Sequence, residues 1–189
     1  MEIESSLRVH KTPLAGAFVI ETAPRGDDRG KFTRLFCAGE FATVRPDLHF
    51  VQVNLSVTRH AGTVRGLHFQ RPPFSEAKLI RCLRGRVFDV AVDLRLTSPT
   101  FGQWFGVELT GDNEREFFIP EGFAHGFQTL TDDVEMLYQH TAPYAPESEA
   151  GVVYDDVTLA ITWPLPVKVV SNRDALLPSL LEVTVAVAA

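Results

Sequence analysis

Strand-length runs cut apart by Gly, Pro or Asp follow one another through most of this chain: 50–58, 63–70, 77–83, 85–94, 104–110, 115–119, 125–130, 134–141 and 157–162. Runs this short, with turn signals this closely spaced, predict an all-β sandwich or barrel, because βαβ units need a helical pattern between strands. Ahead of them stand a short apolar strand at 17–21, a polar hairpin signal at 24–30 and an alternating run at 31–37. Helical patterns are scarce. The segment AGEFATVRPDL at 38–48 predicts a short helix closed by Pro46, and NRDALLPSLL at 172–181 a helical turn stopped by Pro178. Without repeats, linkers or low-complexity segments, residues 1–189 are expected to form one domain, a length sufficient for a full core.

Composition narrows the function by exclusion. A net charge of -6 argues against general binding to nucleic acid or to an anionic membrane, both of which need a basic face. It leaves room for a small anion held by a few local arginines. The amino terminus, MEIESSLRVHKTP, lacks the apolar stretch of a signal peptide. The late run LLEVTVAVAA is too short to span a bilayer and carries Glu182. Cys37 and Cys82 show no metal or redox spacing, so two reduced cysteines in a cytoplasmic protein are expected.

Polar chemistry concentrates between Gln52 and Lys78, in QVNLSVTRHAGTVRGLHFQRPPFSEAK. The turn signal His60-Ala61-Gly62 predicts a strand pair that presents Gln52 and Asn54 on one strand and Arg65 and His68 on the other. Lys78 follows at the head of the apolar run LIRCL. Alone between Leu67 and Phe69, His68 would pass for a satisfied core histidine. Its neighbours change that balance, since Lys and Arg are rarely buried without an anionic partner. An imidazole and an ammonium in one interior suit proton abstraction beside an oxyanion. His125, flanked by Ala124 and Gly126, has room beside it for a ligand. Tyr138 could equally be a core tyrosine with a bonded hydroxyl, and Asp174 a turn or capping aspartate.

Gly62-x5-His68-x-Gln70 and Pro120-x-Gly122-x2-His125 resemble the two motifs of the cupin superfamily, whose histidines converge inside a jelly-roll barrel. Gln70 replaces the second histidine of the first motif. His68, His125 and Glu76 are then a thin set for Zn or Fe, which favour imidazole-rich shells. A cupin-like jelly-roll β-barrel with a few short helices is therefore expected, with no metal.

A longer series of segments resembles the dTDP-4-dehydrorhamnose 3,5-epimerase family. In order they are DRG at 28–30, QVNLS at 52–56, GTVRGLHFQ at 62–70, KLIRC at 78–82, DLRLTSPTFGQW at 93–104, IPEGFAHGF at 119–127, YAPESEAG at 144–151 and SNRD at 171–174. The resemblance implies epimerisation at C3 and C5 of a nucleoside diphosphate 4-keto-6-deoxyhexose, without cofactor. His68 corresponds to the base, Asp174 to the carboxylate that orients it, Lys78 to the group that stabilises the enolate, and Tyr138 to the acid on the opposite face. Arg29, Arg65, Gln52, Asn54, His125 and Glu149 match substrate-binding positions. Arg34 and Arg173 stand at two more: Arg34 replaces a glutamate on the nucleotide side and reverses its charge, whereas Arg173 replaces a lysine and keeps it. Tyr154 stands in place of a tryptophan. A homodimer is implied, in which the amino-terminal part of one subunit completes its partner's site. Within the same chemistry, epimerisation at C3 or C5 alone, or on a sugar carried by another nucleotide, is the alternative. A non-catalytic sugar-nucleotide-binding cupin is an alternative of another class, and so is a metal-dependent dioxygenase, which Gln70 disfavours.

Overall fold

A computed structural model describes residues 7–183. Residues 1–6 and the end of the late apolar run lie outside the described residues. Among those described, two antiparallel sheets carry the fold. One has six strands, in the order β1 (Leu7–Lys11), β2 (Phe18–Thr22), β10 (Arg115–Ile119), β7 (Lys78–Arg84), β12 (Val134–His140), β5 (Gln52–Thr58). The other has five, in the order β13 (Glu149–Gly151), β6 (Val64–Gln70), β11 (Phe123–Thr129), β8 (Arg86–Asp93), β9 (Trp104–Thr110). A separate hairpin pairs β3 (Arg25–Asp27) with β4 (Gly30–Phe32), where the polar turn signal stands.

Period-two alternation sends every second side chain between the sheets. From the six-stranded sheet come Val19, Ile80, Cys82, Phe117, Ile119 and Met136; from the other come Val87, Ala91, Val107, Leu109 and Phe127. This is the expected jelly-roll architecture, two antiparallel sheets packed face to face. Each outer face also receives a cover. Residues 36–50, including α1 (Ala38–Phe41), lay Phe36, Phe41, Leu48 and Phe50 over Ile20, Leu79 and Phe118. On the five-stranded sheet, Val152, Leu159, Trp163 and Leu180 cover Leu67, Val90, Val92 and Ala124. The second helix, α2 (Asn172–Ala175), starts at Ser171, whose hydroxyl accepts the Asp174 N–H at 3.0 Å.

Three sequence expectations need correction. Strands β5 and β6 do not pair: β5 pairs with β12, and β6 with β11 and β13. The turn between them carries the chain from one sheet to the other. Ala61 N–H donates to Asp132 Oδ1 at 2.7 Å and Thr63 N–H to Thr129 Oγ1 at 3.0 Å, so both bonds pull the turn away from a hairpin. Gly62 sits at φ +79, with Pro166 O only 2.9 Å from where a Cβ would be. Residues 157–162 form no strand, because Asp156 Oδ1 takes the N–H groups of Thr158 and Leu159, each at 2.9 Å, and closes a turn. Of the alternating run at 31–37, only its first two residues belong to a strand, as the end of β4.

Candidate active site

Although β5 and β6 are unpaired, the jelly roll brings their inner faces together across the sandwich. Between them opens a cavity of about 710 Å³, lined by Gln52, Asn54, Arg65, His68, Lys78, His125, Tyr138, Glu149, Arg173 and Asp174 among others. It holds all but two of the site residues expected from the sequence. Arg29 lies on the β3–β4 turn, bonded to Asp27 at 2.5 Å, and Arg34 is bonded to Glu40 at 2.6 Å. Neither lines the cavity of its own chain.

On the wall formed by the five-stranded sheet, His68 Nε2 donates to Asp174 Oδ1 at 2.9 Å. The other carboxylate oxygen accepts the Gly66 N–H at 3.1 Å. Gly66 is required there: a Cβ would stand 2.5 Å from the Gly126 Cα, so only glycine lets β6 and β11 approach this closely. Burial acts to raise the Asp174 pKa, but the bonds from His68, Gly66 and Ser171 prevail and hold it well below the usual carboxylate range. Asp174 is thus an anion that fixes the imidazole, leaving Nδ1 to accept a proton. Arg173 Nη2 also approaches Nε2, at 3.1 Å. A nitrogen donating to Asp174 cannot accept from it; the guanidinium bonds to Glu149, at 3.0 and 3.1 Å, and pairs with Asp174 Oδ1 at 3.4 Å.

Opposite stands the inner face of β7, β12 and β5. Its register aligns Lys78, His140 and Gln52 in one row and Ile80, Tyr138 and Asn54 in the next. Lys78 Nζ donates to His68 O at 3.2 Å and meets Glu76 Oε1 at 3.1 Å. Gln70 holds this corner: its amide donates to Glu76, and its carbonyl accepts the Ala145 N–H at 2.7 Å. The replacement of a cupin histidine by Gln70 thus serves to place Glu76. Among the described residues, no three His, Cys, Asp or Glu side chains come together as a metal shell. Tyr138 lies within hydrogen-bond distance of Ser56 Oγ, 3.2 Å away. Burial pushes its hydroxyl well above the usual phenol range, so it is protonated at neutral pH.

His125, directly across from His68 in the β11–β6 register, bonds to both Asp89 oxygens at 3.0 Å. Asp89, which sequence reasoning missed, is fully buried, and burial pushes its pKa up against the pull of His125. A lone carboxylate inside the apolar run Val87-Phe88-Asp89-Val90 was the available signal. His140 was missed too, although it stands two residues beyond Tyr138 on the same strand and so on the same face. At the mouth, Arg65 Nε bonds Thr58 Oγ1 at 3.0 Å, and Gln52 Oε1 accepts the Tyr144 N–H at 2.9 Å.

Comparison with known proteins converges on one family. Its sequence profile, described as dTDP-4-dehydrorhamnose 3,5-epimerase, matches residues 11–182. A curated enzyme of that name from Sinorhizobium fredii is 46% identical over 161 residues, 85% of this chain and 83% of the relative. The crystal structure of the Elizabethkingia anophelis enzyme of that name superposes with a TM-score of 0.90 at 38% identity, covering 94% of this chain and 98% of its own. That of a Legionella pneumophila dTDP-6-deoxy-D-glucose-3,5-epimerase, in complex with dTDP-4-keto-L-rhamnose, gives 0.87 at 44% identity, covering 92% and 93%.

Proposed function

The chain belongs to the dTDP-4-dehydrorhamnose 3,5-epimerase family, and from that membership we infer that it inverts C3 and C5 of a dTDP-linked 4-keto-6-deoxyhexose. It is an isomerase. The C4 carbonyl acidifies the hydrogen on each flanking carbon. His68 takes that proton as the C–H bond breaks, and the bonding pair passes to O4 as an enolate. The Lys78 ammonium stabilises the developing charge. Tyr138 gives its hydroxyl proton to the same carbon from the opposite face, and both groups then re-equilibrate with solvent. Nothing is oxidised or reduced.

One observation carries this reading: His68, held by Asp174, and Tyr138, bonded to Ser56, sit on opposite walls of one cavity with Lys78 beside them. Base and acid on opposite sides of a ring are what an inversion needs. Arg65, Gln52, Asn54, His125, Glu149 and Arg173 line the same space and suit the sugar and diphosphate, guanidinium groups pairing bidentately with phosphate oxygens.

Arg29 and Arg34 serve a second copy of the chain in this reading. Arg29 is 89% exposed on its hairpin, and exchanging its Asp27 bond for a phosphate would let it serve a partner's cavity. A homodimer also fits β5, a strand at the end of its sheet, where Val53, Leu55 and Val57 are each more than half exposed on the outward face. Sedimentation should find a dimer. Arg29→Ala should leave the dimer intact and raise KM. Among the described residues no helix is long and apolar enough to cross a membrane, and a cytoplasmic site of action goes with both cysteines being free thiols.

The test is incubation with dTDP-4-keto-6-deoxyglucose in deuterated water, following label at both carbons by NMR. Label and inversion at C3 and C5 are expected. Label at one carbon alone would make the enzyme a mono-epimerase, and no exchange would refute the assigned substrate.

A further inference from the structure

His140 is not needed for the proton chemistry above, yet it projects into the same cavity. Its place is fixed by the register of β12, with Lys78 on one side and Gln52 on the other. Its Nε2 lies 3.3 Å from Asn54 Nδ2, and Asn54 is the register partner of Tyr138. The His140 ring lies alongside that of Tyr138, with centroids 6.2 Å apart and planes within 26°.

The surroundings of Tyr138 show what this contact can do. Its hydroxyl meets Ser56 at 3.2 Å, which restrains the tip of the ring. Across the barrel, the His125 ring packs edge-to-face with that of Tyr138, centroids 6.1 Å apart, and His125 is itself pinned by Asp89. Toward the core, Met136 on the same face is fully buried. The remaining direction is along the strand toward the mouth of the cavity, and His140 fills it. A flexible or charged side chain would fill it poorly. Burial, then the Lys78 ammonium and His125, pull the His140 pKa down to about 4, so the ring is uncharged at neutral pH. A neutral imidazole accepting from Asn54 adds no second cation beside Lys78.

We propose that His140 is a positioning residue for Tyr138: by packing on its ring and bonding Asn54, it holds the phenol where proton return inverts the carbon rather than failing. This rests on the epimerase reading above. The consequence is a partition. After His68 has removed a proton, the enolate is either reprotonated by Tyr138 with inversion or by His68 with retention. Displacing Tyr138 shifts that partition and leaves the first step alone.

The experiment compares native enzyme, His140→Leu and His140→Asn on dTDP-4-keto-6-deoxyglucose in deuterated water, measuring both exchange and inversion at C3 and C5. Leu removes ring and hydrogen bond; Asn keeps a polar group that Asn54 can bond. In His140→Leu, the ratio of inversion to exchange should fall about tenfold at one carbon or both, with exchange itself and dTDP binding within about threefold of native. In His140→Asn the ratio should recover at least partly. Parallel loss of exchange and inversion, an unchanged ratio, or loss of dTDP binding in both variants would overturn the proposal. Absence of exchange in the native enzyme would refute the epimerase reading itself, a failure distinct from the others.

Discussion

Two histidine–aspartate pairs stand side by side in this cavity, and they are not equivalent. His68–Asp174 and His125–Asp89 have similar bond lengths, 2.9 and 3.0 Å, and their histidines face each other in one strand register. They differ in what surrounds the carboxylate. The Asp174 carboxylate also accepts the Gly66 N–H at 3.1 Å and lies 3.4 Å from Arg173 Nε, and its pKa is held well below the usual carboxylate range. Asp89 has no such cradle and is fully enclosed, so burial pushes its pKa up. The histidines differ in access as well: the His68 side chain is 28% exposed and that of His125 only 7%. Geometry alone would nominate either pair as a base. Access and the lowered Asp174 pKa favour His68 as the base of the proposed reaction, with His125 as an anchored wall beside it.

Substitutions at the two pairs should have unequal effects. His68→Ala should lower deuterium exchange at both carbons by about a thousandfold, the upper part of what a general base supplies, with dTDP binding little changed. Comparable exchange in this variant would move the base to His125. Asp174→Asn should follow, at about a hundredfold, through the wrong tautomer and a weaker base.

The aspartates should also separate by pH. A folded pKa below the unfolded one contributes stability above about pH 4 that is lost as the pH falls through the folded value. Asp174→Asn should therefore cost on the order of 2 kcal/mol at pH 7 and less toward pH 2. For Asp89 the folded pKa is raised, so its contribution is greatest below about pH 4 and declines as pH rises. The cost of Asp89→Asn should shrink with rising pH, the opposite trend. Urea midpoints between pH 2 and 8 would reveal it; two parallel curves would mean that the pairs are electrostatically alike. The smallest effect expected is that of His125→Asn, a rise in KM of roughly fivefold with kcat nearly intact. A large kcat loss there would give His125 a part in the proton transfers.

The same contrast marks what could be read from residues alone. Strand positions were legible because alternation and turn signals are local, and the hairpin at 24–30 appears as β3 and β4. Strand partners were not. The turn at His60-Ala61-Gly62 looks like a hairpin locally, but Asp132 and Thr129, distant in sequence, take its N–H groups and send the chain to the other sheet. Asn54 consequently finds Tyr138, not a residue of β6. His68 and Lys78 stood out as polar groups within apolar runs that also matched family motifs. Asp89 gave the first kind of signal without the second, and His140, between Gln139 and Thr141, gave neither; their meaning depends on which strands become neighbours. The turn at 156–159 shows the same limit at short range, since a single Asp156 side chain overrides an apolar strand pattern.

In the proposed reaction one wall removes a proton and the other returns it. Tyr138→Phe in deuterated water tests it most directly, by comparing label with configuration at each carbon. The Ser56 contact would be lost, but the ring and the His68–Asp174 pair would remain. Deuterium should still enter, within about tenfold of the native rate, while inversion falls at least a hundredfold and label appears with retained configuration. Equal losses of exchange and inversion would contradict it, and would place the second proton transfer on a group other than Tyr138.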